Sequence, residues 1–114
     1  MTKKITALTA EQIKDYQENH SGVKMQLASL VTSEGEDVGE VLVKRPAPFP
    51  LSQFEKFCDK EPQKAKGILI AACVVDKVQL SEINALPKNS EEYAAAFDAV
   101  AQMLPVGKAS LKNV

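Results

Sequence analysis

The chain has no tryptophan, one histidine, two cysteines, two tyrosines and four phenylalanines in 114 residues. With so few aromatics the core must be mostly aliphatic, and a stacking platform for single-stranded nucleic acid has little to work with. One histidine and two thiols cannot fill a four-ligand zinc site without a carboxylate, and no close-spaced ligand pair exists to nucleate one. There is no Walker loop and no GxGxxG. His20 falls at the end of a predicted helix, and a catalytic dyad through it needs Cys58, Cys73 or a serine to meet it in space; no nucleophile motif surrounds any of them. Cys58 and Cys73 lie in predicted helices beside apolar neighbours and read as buried small hydrophobes. No catalytic residue, cofactor or metal site is expected, and the chain is read as a non-enzyme.

Charge of one sign is also missing. Fourteen basic residues against fifteen acidic give a net charge of −1, so no global field exists to hold a polyanion or an anionic membrane, and neither nucleic acid nor membrane is expected as a partner. No apolar run approaches the roughly 18 to 20 residues needed to cross a bilayer, and Met1-Thr2-Lys3-Lys4 leads into no continuous apolar signal-peptide core. The expectation is a cytoplasmic protein.

What is present is enough for a single domain spanning residues 1–114, with residues 1–8 and 105–114 as flexible tails. Its richest apolar stretch is Pro62 to Val75. Ala65, Ile68, Leu69, Ala72 and Cys73 recur at i, i+3, i+4, i+7 and i+8, and Ile70, Ala71, Val74 and Val75 fill the other faces. A helix apolar all round must be surrounded, so the remaining elements are expected to pack about this one, each large aliphatic side chain contributing roughly 1.5 to 3 kcal/mol. The helix is expected to end around Asp76-Lys77.

Before it, Thr9-Ala10-Glu11-Gln12 has capping-box spacing and opens a charged helix whose narrow apolar stripe is Ile13 and Tyr16, with Gly22 placed for a left-handed turn at its end. Val23 to Thr32 fits two patterns. Val23, Leu27, Leu30 and Val31 suit a helix face, while Met25, Leu27 and Val31 suit an alternating strand. The polar connector Ser33 to Asp37 and the β-branched run Val38 to Lys44 favour two strands joined as a hairpin. Glu34, Glu36, Asp37 and Glu40 give that hairpin an acidic tip without EF-hand spacing, read as a solvated turn; the sharper alternative is contact with a basic surface on another chain.

Arg45-Pro46-Ala47-Pro48-Phe49-Pro50 cannot continue a central strand, and a short helix can begin between Pro48 and Ser52, with Ser52-Gln53-Phe54-Glu55 as a second capping-box spacing. It carries Leu51, Phe54, Phe57 and Cys58 inward, while Phe49 is either hinge packing or a side chain offered to a partner. Ser81-Glu82-Ile83-Asn84 is a short turn of helix. The last long helix starts at Asn89 or Ser90 and lines one face with Tyr93, Ala96, Phe97, Val100 and Leu104; Pro105 and Gly107 stop it, and a basic tail from Lys108 is expected to fray. The fold class is therefore α+β: an N-terminal helix and a two-stranded antiparallel hairpin packed on a helical C-terminal half.

Gln12 to His20, then two strands closing in Val41-Leu42-Val43-Lys44-Arg45-Pro46, then Asp59 to Ala65 and Leu69-Ile70-Ala71-Ala72-Cys73, resemble a group of small phage and prophage tail-assembly-chaperone-like proteins. The order of elements corresponds over most of the chain, with a longer hairpin and with Val74-Val75-Asp76 where relatives often carry tryptophan or glycines. The resemblance implies a non-enzymatic protein without cofactors that binds a long tail-length protein or another phage tail component. The alternative role is a structural tail or connector subunit retained in the virion, which self-association would mark. Such binding asks for an apolar surface rimmed by polar groups, and Phe49, Leu51, Leu111 and Val114 are the candidate partner-binding residues.

Overall fold

A computed structural model of the chain describes residues 4–104. Thr9 closes an extended segment and opens α1 (Ala10–Asn19), its hydroxyl accepting from the Gln12 amide at 3.1 Å while the Gln12 side chain accepts from the Thr9 amide at 2.9 Å. The capping box read from the sequence is thus in place. Gly22, at φ +84, turns the chain into β1 (Met25–Val31), which pairs antiparallel with β2 (Asp37–Lys44).

The hairpin carries one irregularity. Leu30 pairs with Gly39 but Val31 pairs with Asp37, so Val38 is an extra residue on β2. Strict alternation puts Val38 in phase with Glu40, Leu42 and Lys44; the bulge instead lets it join the core with Val41 and Val43. Gly39 sits at φ +116, and a Cβ there would come within 2.9 Å of the Ile5 carbonyl oxygen. Glycine is required at that position both by its backbone angle and by the close approach of the N-terminal segment.

Four helices follow: α2 (Pro48–Phe57), α3 (Pro62–Cys73), α4 (Lys77–Asn84) and α5 (Glu91–Ala101). Helix α5 packs on the hairpin, α3 lies against α2, α4, α5 and β2, and α2 rests on α3. The core joins Leu30, Val38, Val41 and Val43 of the hairpin to Leu69, Ile70 and Cys73 of α3 and to Tyr93, Ala96 and Val100 of α5. This is the α+β arrangement that the sequence implies. No helix among the described residues is long and apolar enough to cross a membrane.

Several local expectations are corrected. Helix α3 stops at Cys73, because Val74 leaves it to bridge Val43 and the Val75 amide donates to the Leu42 carbonyl at 3.2 Å. The β-branched pair lies outside the helix, with Val74 extended as an isolated β-bridge. Nor is α3 enclosed on every side: Ala65, Leu69, Ile70 and Cys73 are buried, whereas Ile68 and Ala72 are half-buried and Ala71 is exposed. Ser52 caps nothing, since α2 already starts at Pro48, whose fixed φ suits a first turn. The turn at Ser81 belongs to an eight-residue helix begun by Asp76, whose side chain accepts from the Gln79 amide at 3.0 Å. Ser90, not Asn89, caps α5.

Residues 4–8 are not a free tail. The Ile5 amide donates to the Val38 carbonyl at 2.8 Å with its side chain buried, and Thr6 donates to both carboxylate oxygens of Glu82. Cys58, expected inside, is exposed just beyond α2, while Cys73 is buried as expected. The expected tail 105–114 lies outside the described residues.

Candidate functional site

Two strands of opposite direction bring distant basic residues together. Lys24 precedes β1 and Lys44-Arg45 ends β2; the Arg45 amide donates to the Lys24 carbonyl at 3.1 Å and closes the open end of the hairpin. Pro46 and Pro48 then carry the chain away, since neither can donate to a ladder. The result is a groove of about 390 Å³ lined by Val23, Lys24, Lys44, Arg45, Pro46 and Pro48. A smaller groove of about 220 Å³ shares Lys24 and Arg45 with Gln102, Met103 and Leu104 at the end of α5.

The groove is both apolar and cationic. Val23 is 40% exposed, and Phe49, the residue after Pro48, is 74% exposed, the most open large apolar side chain among the described residues. Lys24, Lys44 and Arg45 form no ion pair among the described residues, where the two salt bridges are Lys4 with Asp37 and Lys64 with Glu61. Helix α2 begins at the groove wall without a side-chain cap. Its dipole adds little there, because Pro48 and Pro50 have no amide hydrogen and the Leu51 amide is already bonded to the Ala47 carbonyl. Attraction for an anion rests on the three side-chain cations.

Phe49 is therefore the exposed residue of the expected partner-binding set. Leu51, by contrast, is half-buried, and Leu111 and Val114 lie outside the described residues. Phe54 turns inward against Phe97, with ring centroids 6.5 Å apart, and the Phe57 ring is flanked by Lys56 and Lys64. Sequence reasoning missed the basic trio, because Lys24 and Lys44 are twenty positions apart and only the strand register makes them neighbours. The hairpin prediction itself was the available signal.

Other polar side chains tie elements of the fold together. His20 caps α1 with its Nδ1 at 3.0 Å from the Tyr16 carbonyl. The Tyr16 hydroxyl donates to Asp76 at 2.6 Å; that bond, then burial, then the Asp76 charge push its pKa up. Gln79 is fully buried: its Oε1 accepts from the Leu42 amide at 3.2 Å, and its Nε2 donates to the Thr6 and Glu40 carbonyls at 2.9 and 3.0 Å. Burial pushes the Cys73 thiol up to about 11 despite the opposing charge of Lys44, which keeps it an unreactive proton-bearing thiol. No group of three histidine, cysteine or acidic residues among the described residues is placed to hold a metal ion.

No protein-family model matches the chain, and no curated protein or solved structure shows significant similarity to it.

Proposed function

We propose that this chain is a non-enzymatic protein-interaction domain of the tail-assembly-chaperone kind, and that it holds a segment of a phage tail component at the groove beside Phe49. The observation that supports this reading is a groove that carries two prolines and three cations without an ion pair among the described residues, followed directly in the chain by the exposed Phe49. An extended or helical segment with an apolar residue and nearby carboxylates satisfies both halves of such a surface, the apolar anchor supplying affinity and the charges orientation. The tail component as partner comes from the resemblance of the sequence.

The test is affinity purification of the tagged chain from its own host before and after phage induction, with mass spectrometry of the captured complex and of finished particles. Capture of a long tail protein, with this chain absent from particles, is the expected result. Phe49→Ala and the double variant Lys44→Glu/Arg45→Glu should each lower that capture at least about tenfold. Presence of the chain in particles at fixed stoichiometry makes it a structural subunit instead, and capture unaffected by these variants removes the groove from the account.

A further inference from the structure

The two edges of the hairpin are treated differently. The outer edge of β2 is occupied along its length: the Ile5 amide bonds the Val38 carbonyl, Gln79 bonds the Glu40 carbonyl and the Leu42 amide, and Val74–Val75 adds a bridge to Val43 and a bond to the Leu42 carbonyl. The outer edge of β1 makes no backbone hydrogen bond among the described residues, since β1 pairs with β2 alone; α5 lies alongside it, and Ala28 to Val31 share an open groove of about 240 Å³ with Ala95, Asp98 and Ala99.

Apart from a bulge or a covering helix, strands left at an edge are usually blunted within their own sequence by lysine, proline or an inward-pointing charge. Met25-Gln26-Leu27-Ala28-Ser29-Leu30-Val31 has none of these. The strand period puts Met25, Leu27 and Val31 on the face opposite Ala28 and Leu30, with Met25 half-buried, Leu27 45% and Val31 54% exposed. Charge then distinguishes the two ends of the hairpin. Lys24, Lys44 and Arg45 lie at the open end, and Glu34, Glu36 and Asp37, all exposed, lie at the tip.

The geometry points to a second copy of this chain as the occupant of that edge, joined β1 to β1 in antiparallel sense about a two-fold axis to make a four-stranded sheet. An antiparallel pairing sets the basic end of each hairpin beside the acidic tip of the other, whereas a parallel pairing sets like charges together. The same operation extends the Leu27 and Val31 stripe across both copies. It is an isologous contact, closed at two copies, so it builds a dimer and not a ring or filament. It stands without a client in the groove near Phe49, but it draws on the same cations that line that groove, so dimer and client would compete for them.

The experiment is sedimentation equilibrium of the full chain up to its highest soluble concentration, at low and high salt. A monomer–dimer equilibrium weakened by salt is expected. Leu27→Lys should weaken dimerisation at least about tenfold while circular dichroism stays unchanged, and Leu27→Val should keep it. Lys24→Glu alone and Glu34→Lys alone should each weaken it several-fold, and the two together should restore it, since the swap re-creates opposite charges only in the antiparallel arrangement. A chain that stays monomeric at all concentrations overturns the proposal, as does a dimer indifferent to Leu27→Lys or a double charge swap that fails to recover. A dimer that appears only after removal of residues 105–114 also overturns it, by assigning the β1 edge to the chain's own C-terminal segment.

Discussion

Leu27 and Leu42 stand opposite each other across the hairpin, yet Leu42 is 1% exposed and Leu27 is 45% exposed. Both sit in apolar, β-forming runs. The difference arises beyond the pair: β2 is hydrogen-bonded along its other edge by the N-terminal segment, the buried amide of Gln79 and Val75, whereas β1, flanked by α5, makes no hydrogen bond along its other edge among the described residues. Both edges of β2 are therefore bonded, while β1 gives Leu30 to the core and leaves Leu27 at the surface. Burial of a strand residue follows from what the rest of the chain brings to it, and composition alone does not distinguish the two leucines.

The largest way to erase that contrast is to remove the group that seals the β2 edge. Gln79→Leu keeps the volume but leaves the Leu42 amide and the Thr6 and Glu40 carbonyls without their partner, and should cost about 3 to 5 kcal/mol in urea unfolding. Leu42→Ala should cost about 3 kcal/mol and Leu27→Ala under about 1 kcal/mol in the same measurement, a difference set by burial at one register position. Equal costs would mean that β1 is also covered in solution.

Gly39→Ala attacks the contrast from the backbone. A positive φ and a 2.9 Å approach to the Ile5 carbonyl oxygen should make it destabilising by about 2 kcal/mol, with faster amide exchange at Ile5 and Thr6 as the local mark.

Alkaline pH gives the smallest and most graded effect. Burial raises the Cys73 thiol to about 11 against an ordinary 9.0, and Tyr16 and Tyr93 are also raised. The folded chain keeps protons that the unfolded chain releases, so this stabilisation is complete below pH 9 and is lost as pH rises toward 11. The melting temperature should fall over that window, less steeply in Cys73→Ala. Exposed Cys58 should meanwhile react with a thiol reagent at neutral pH at least about tenfold faster than Cys73.

Local chemistry by itself determined the helix at Thr9, the hairpin with its glycine-containing turn, the exit through Pro46 and Pro48, and the face of α5 that carries Tyr93, Ala96 and Val100. Each depends on neighbours within a few residues: a hydroxyl reaching an amide, a ring fixing φ, a period of 3.6. Only the tertiary structure decided where α3 stops, because Val74 and Val75 suit a helix or a strand and β2 offered them an edge. It also decided that Gln79 is core while Cys58 is surface, since a buried amide is tolerated only where distant carbonyls and amides converge on it. The cationic groove belongs to the same class. Its charges are separated in the chain, and the strand register is what sets Lys24 beside Arg45.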